Sequence, residues 1–208
     1  MPHLRSIGVG NEGGEVGEYA AILYDSNRIE VLEQGTFWFS ATPSIPGSRS
    51  WGAFTPRICT WGRFRDLNTG ATFYSFNVHW DHLSPVSRLF SAMLLRSRVS
   101  ERSNKSDPVV LSGDFNAPEW EPSFLLLQYG SDFIDSYRWL YPTEKESGTF
   151  HNFSGQRDGK KIDALLVSAG LKILSSEIDH TQIGGRYPSD HFPVVTKLQY
   201  QNGSVFYP

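Results

Sequence analysis

The sequence predicts a mixed α/β sandwich, with strands gathered in sheets and helices on the outside. Three observations predict it. Short runs rich in aromatic and β-branched residues recur along the chain, and such residues suit a pleated, half-buried surface. The 19 glycines and 12 prolines punctuate those runs as many turns. Only two stretches carry a clear helical pattern. Strands broken by occasional helices favour layered sheets with helices packed against them.

Residues 1–9 read as a strand, and residues 19–24 as another. Asp25-Ser26-Asn27-Arg28 is a tight turn after which residues 29–39 form a strand, so the second and third strands are expected to pair as a hairpin. Residues 41–51 hold Pro43, Pro46 and Gly47 and read as a loop. Residues 57–65 and 71–78 are strands around a turn, Asp66-Leu67-Asn68-Thr69-Gly70, whose residues tolerate left-handed backbone. Residues 84–102 are the best helix: Ser84 caps it, Pro85 suits its first turn, and Leu89, Ala92, Met93, Leu95 and Val99 form its expected apolar face. A short buried strand runs from Val109 to Gly113. A shorter helix spans 121–129 and opens with Pro122. Residues 149–153, 162–167, 171–178 and 192–198 complete the strands. The chain shows no internal repeat.

Four strand ends carry the polar groups of interest. Asn77, His79 and Asp81 fall at spacing two in Phe76-Asn77-Val78-His79-Trp80-Asp81-His82, so they share a face if the strand continues. In Gly113-Asp114-Phe115-Asn116 a strand ends and Asp114 and Asn116 share a face. Asp163 enters the strand of Lys161-Ile162-Asp163-Ala164. Ser189-Asp190-His191 precedes an apolar run, held at the strand mouth by a turn from Gly184. Ligands and catalytic groups gather where loops leave a rigid sheet. Asn, His and Asp at four such places read as one site assembled from distant sequence. Trp80 and Trp120, beside these motifs, are expected to line its cleft.

These motifs, in this order, resemble the endonuclease/exonuclease/phosphatase superfamily. Its members are divalent-metal phosphoesterases that include pancreatic-type deoxyribonucleases, abasic-site endonucleases, sphingomyelinases and deadenylases. Gly17-Glu18-Tyr19 and Thr55-Pro56-Arg57-Ile58-Cys59-Thr60-Trp61 also look like a bacterial and fungal subgroup of it, and the resemblance runs from about residue 4 to about residue 199. It implies one domain over residues 1–208 and a four-layer αββα sandwich. It implies hydrolysis of a phosphoester, a phosphodiester in preference to a monoester, with Mg²⁺ or Mn²⁺ as cofactor. Hard oxygen ligands suit those ions, and Asp190 and Asp114 are the expected metal ligands. His191 is expected to activate or orient the water, with Asp163 behind it to fix its tautomer and raise its basicity. Asp114 and Asn116 would align water and phosphate. His79 would donate to a non-bridging oxygen or assist the leaving group. Asn77, Arg57 and His82 are expected on the substrate, with packing or pairing the other reading for Arg57, and support of neighbouring groups the other reading for His82 and Asp81. The resemblance also implies a leading strand ending in Asn and a second ending in a metal-binding Glu. Neither has a counterpart here, so the domain is expected to be truncated at its N-terminus. A catalytically impaired remnant that binds phosphorylated ligands is the alternative.

Composition narrows the partners. A formal charge of −3 argues against broad, sequence-independent affinity for nucleic acid, which needs Lys and Arg density against phosphates. The single cysteine, Cys59, lies in a strand pattern and reads as core packing. His3, His151 and His180 read as surface or structural residues. A Ser/His/Asp hydrolase fails for want of a Gly-x-Ser-x-Gly elbow. The first ten residues lack the layout of a secretory leader, which favours an intracellular setting.

Overall fold

A computed structural model of the protein describes residues 3–201. Its centre is a six-stranded sheet in the order β3-β4-β5-β6-β8-β7. The members are β3 (Ile29–Trp38), β4 (Ile58–Asp66), β5 (Thr72–His79), β6 (Val109–Asp114), β7 (Ile134–Asp135) and β8 (Asp163–Val167). Neighbours run antiparallel except β5 and β6, which are parallel and joined by helix α1 (Pro85–Glu101). Two antiparallel pairs stand apart from this sheet, β1 (Leu4–Ile7) with β2 (Ile22–Asp25) and β9 (Leu171–Ile178) with β10 (Val194–Tyr200).

The period-two burial of the strands separates two faces. Cys59, Tyr74, Phe76, Val78, Val109, Leu111, Ala164 and Leu166 turn one way and join Ala92, Leu95 and Val99 of α1 and Phe124 and Leu127 of α2 (Pro122–Gln128) in the main core. Ile58, Thr60, Gly62 and Phe64 turn the other way, toward the two hairpins. Tyr24 packs on Phe64, Tyr200 packs on Phe73, and Asn77 Nδ2 donates to the Ala21 carbonyl at 2.9 Å. The layers are therefore helix, sheet and hairpins. α3 (Ser136–Leu140) packs against β8 and β9, and the Ser136 hydroxyl bonds those of Ser176 and Thr196. Helices on one face of the central sheet and strand pairs on the other give a mixed α/β sandwich. Among the described residues no helix is long and apolar enough to cross a membrane.

Several expectations need correcting. The turn at residues 26–28 does not close a hairpin, because β2 pairs with β1 and β3 with β4; the turn hands the chain from one layer to the next. Residues 149–153 make no strand, only an isolated bridge between Phe150 and His191. The helix from Ser84 holds, and the Ser84 hydroxyl accepts the Ser87 N–H at 3.1 Å. Its buried stripe is Arg88, Ser91, Ala92, Leu95 and Val99, whereas Leu89 and Met93 are exposed. The stripe admits an arginine because Glu121 takes the Arg88 guanidinium through two bonds of 2.7 Å. Cys59 is buried as expected, and burial pushes its thiol up. Strand β7 and helix α3 are too short for periodicity to reveal.

Candidate active site

Register builds the site. The pairing of β4, β5, β6 and β8 sets Ile58, His79, Asp114 and Asp163 in one cross-strand row on the hairpin face. His191, just before β10, closes the row: its Nδ1 lies 2.7 Å from Asp163 Oδ2. Four distant segments thus meet as the sequence reading requires.

Local chemistry explains each position. Gly113 has φ +129°, and a Cβ there would lie 2.0 Å from the Val78 carbonyl oxygen, so only glycine lets β6 pass β5 this closely. Asp114 follows at the strand end. Asn116, left-handed at φ +47°, holds its carboxylate: the Asn116 main-chain N–H donates to Oδ1 at 2.7 Å and Nδ2 to Oδ2 at 3.1 Å. Nδ2 also donates to the Trp80 carbonyl. Thr149, buried and unmarked in the sequence, links both halves of the Asp163–His191 pair. Its hydroxyl accepts the N–H groups of Ile162 and Asp163, and its carbonyl accepts the N–H of Phe192. Lys161 anchors the same segment from below, buried and 2.6 Å from Asp135.

Charge differs sharply along the row. Burial, then the neighbouring Asp163 charge, push the Asp114 carboxyl up to about 6. Burial, then the Arg57 guanidinium, lower His79 to about 4, so its imidazole is neutral at pH 7. The hydrogen bond to Asp163 raises His191 against the opposing effect of burial. Arg57 is itself buried: Nη1 lies 2.7 Å from His79 Nε2 and Nη2 lies 2.7 Å from His82 Nδ1. The pairing half of its sequence reading therefore holds, with the pairing directed at the row.

Other expected residues lie outside the row. Asn77 is two register positions behind, its amide engaged by Ala21 and by the Ser112 hydroxyl. Asp190 adds its charge beside His191, while its carbonyl accepts from His151 and Asn152. Asp81 is fully buried and accepts N–H bonds from Phe54, Leu83 and Ser84, the supporting role. Trp80 lines no cleft: it is fully buried between Phe39 and Phe115. His151 is structural, stacked on Phe192. Glu18, whose motif was marked only by the resemblance, stands beside Arg57 and His79, and Phe150, unmarked in the sequence, stands against the His191 ring. An open cavity of about 540 Å³ lies on the helix face, floored by Phe37, Trp61, Tyr74 and Phe76, away from the row.

The row fits a divalent cation. Asp114, Asp163 and His191 each offer a ligand atom, and these atoms lie within 4.8 Å of one another. The raised Asp114 carboxyl reflects repulsion and desolvation that a cation would relieve. Asp114 belongs both to this group and to the pair expected from sequence.

Comparison with known proteins gives the family and the fold. The sequence model of the Endonuclease/Exonuclease/phosphatase family matches residues 20–191. A mannosyl-6-phosphatase of Bacteroides thetaiotaomicron VPI-5482 is similar at 33% identity and TM-score 0.87, over 96% of this chain and 78% of that one. An endonuclease/exonuclease/phosphatase of Bacteroides vulgatus is similar at 30% identity and TM-score 0.86, over 96% of this chain and 77% of that one. The human Nocturnin catalytic domain, at 14% identity and TM-score 0.75 over 96% of this chain and 73% of that one, shares the fold. No curated protein matches.

Proposed function

The chain belongs to the endonuclease/exonuclease/phosphatase family, and from that premise we propose that it hydrolyses phosphate esters with water oriented by His191 and Asp163. The observation that carries the reading is the 2.7 Å Asp163–His191 contact at the end of a row containing Asp114 and His79. The Asp163 carboxylate accepts the Nδ1 proton, leaving Nε2 as the basic nitrogen that takes a proton from water. Asp114, clamped by Asn116, aligns that water against phosphorus. Neutral His79 bonds a non-bridging or leaving-group oxygen. Arg57, backed by His79 and His82, presents positive charge to the phosphate. Mg²⁺ or Mn²⁺ would be held at Asp114, in the group it forms with Asp163 and His191, and would supply Lewis acidity toward a phosphoryl oxygen; Asp190, the other ligand expected from sequence, is not in that group.

The family resemblance implies a phosphodiester in preference to a monoester. The named activity of the Bacteroides thetaiotaomicron relative supports a sugar phosphomonoester, and the net negative charge of this chain agrees with a substrate other than a nucleic acid. We therefore propose the sugar monoester as the substrate class. The test is release of phosphate from hexose 6-phosphates and p-nitrophenyl phosphate, beside bis-p-nitrophenyl phosphate, with Mg²⁺, Mn²⁺ or chelator. Metal-dependent turnover that chelator abolishes is expected. No turnover of any ester at either metal would overturn the hydrolytic reading and leave a binder of phosphorylated ligands.

A further inference from the structure

The helix-face cavity lies away from the row, and the polar groups on its walls are unevenly used. It encloses about 540 Å³ between α1 and the strands β3, β4 and β5. Pockets for small organic molecules run from about 300 to 1,000 Å³. Trp61, Tyr74 and Phe76 floor it as a run of stacked and tilted rings. The Trp61 centroid lies 6.2 Å from that of Phe76 at 23° and 6.4 Å from that of Tyr74 at 33°. Tyr74 and Phe76 are sealed in the core, so half-buried Trp61 is the accessible part of the floor. Its cross-strand partner is Gly35. A Cβ at that position would fall 2.8 Å from Trp61 Nε1 and 3.0 Å from Cε2, so only glycine leaves room for the indole where it lies.

Acceptors on the wall are already engaged. Glu33 takes the Ser103 hydroxyl at 3.1 Å and Arg63 at 3.5 Å. Glu101 takes the Ser97 hydroxyl at 2.6 Å. Donors are left over. Arg98 Nε is a buried N–H with no acceptor. Arg98 Nη1 has Glu101 at 3.2 Å, an exposed pair three residues apart of the kind that contributes little. The guanidinium stands 5.8 Å over the Phe37 ring, which holds it at the cavity wall. The Trp61 indole N–H meets no acceptor among the described residues. Arg102 differs: its Nη groups bond the carbonyls of Val99 and Lys105 and close the end of α1. An aromatic floor with spare N–H donors beside it suits a flat apolar body that carries an oxyanion. A cation would find both carboxylates taken, and a polyanion would be repelled by them.

We propose that this cavity is a second binding site, for a planar aromatic carboxylate whose ring packs on Trp61 and whose carboxylate accepts from the Arg98 guanidinium. The site is separate from the row, because His79 and Asp114 lie on the hairpin face of the same sheet.

The probe is 2-naphthoate, with 2-naphthylmethanol as its uncharged counterpart. Both are titrated by calorimetry and by NMR of the indole N–H signals, with excess inorganic phosphate present to occupy the row. 2-Naphthoate should bind once per chain and shift the Trp61 indole signal. The alcohol should bind about 10–100-fold more weakly, as loss of a charge-assisted hydrogen bond requires. Arg98→Met should bring naphthoate down to the affinity of the alcohol. Ser44→Trp, at the exposed mouth of the cavity, should exclude both. The two variants sit on separate elements, so each carries the test if the other fails to fold. Lys172→Met, an exposed charge lost on β9, should change neither affinity. No binding at millimolar naphthoate, equal affinity for acid and alcohol, or binding indifferent to Arg98→Met and Ser44→Trp would each overturn the proposal. Binding seen only without phosphate would put the probe on the row and overturn it too.

Discussion

Asp81 and Asp114 follow neighbouring parallel strands, and both stand in polar motifs at strand ends, yet their surroundings oppose each other. Asp81 is fully buried. Burial alone would raise its carboxyl, but N–H bonds from Ser84, Phe54 and Leu83, with Arg57 nearby, hold it below the usual carboxylate range. Asp114 has few donors to offset its burial, and burial first, then the like charge of Asp163, push its carboxyl up to about 6. The difference shows what makes a strand-end carboxylate structural or reactive. A buried carboxylate supplied with enough fixed donors is stabilised as an anion and serves the fold. One left beside another carboxylate stores repulsion that a cation or a proton can relieve.

The sharpest way to break this comparison is to delete each group. With activity assayed on p-nitrophenyl phosphate and Mg²⁺, Asp114→Ala and His191→Ala should each lower kcat by about 10²–10⁴-fold while the protein stays folded. Asp81→Ala should instead cost about 2–4 kcal/mol of stability in urea titration, because three N–H groups lose their acceptor. A stable Asp81 variant, or an Asp114 variant of wild-type rate, would reverse the two roles.

The next effect is on stability against pH in chelator. A carboxyl raised from 3.8 to about 6 by folding favours the protonated form, so stability falls as pH rises between those values. The loss is up to about 3 kcal/mol. His191 acts in the same direction: its raised value stabilises the fold fully below 6.5, and that contribution fades as pH rises through the folded value. Asp81 acts oppositely, and its contribution is lost only as pH falls below 3.8 through its depressed value. The metal-free protein should therefore melt higher at pH 5.5 than at pH 7.5. Asp114→Asn should flatten that slope and raise the melting temperature at pH 7.5. A slope unchanged by Asp114→Asn would place the repulsion elsewhere.

Smaller effects sharpen the row itself. Proton NMR titration should find His191 above 6.5 in wild type and lower in Asp163→Asn, since an amide cannot stabilise the imidazolium. His79 should show no titration between pH 6 and 8. Arg57→Gln should move it only part of the way from about 4 toward 6.5, because burial is the larger cause. The His151 ring packs 3.8 Å from Phe192, the residue after His191, so His151→Ala should lower the melting temperature.

Much of this molecule is written in local chemistry. Ser84 and Pro85 mark the start of α1, the alternation in residues 58–66 and 72–79 marks two-faced strands, and the His, Asp and Asn residues at strand ends mark the candidate site. These signals act between residues a few positions apart, where backbone geometry leaves few choices. The pairing of β2 with β1 escapes the local signal for the complementary reason: a turn shows where the chain reverses, while the neighbour of a strand depends on which faces must be buried together. The same applies to the row. A period of two shows that His79 and Asp114 share faces with their own strand mates, but only register across four strands sets them beside Asp163. The donors that separate Asp81 from Asp114 also come from afar, the Phe54 N–H from 27 positions away. Glu18 meets Arg57 across 39 positions. Residue types and strand ends follow from the local chain; which carboxylate is quieted and which is left reactive follows from long-range packing, because donors, like charges and exclusion of water arrive only when distant segments meet.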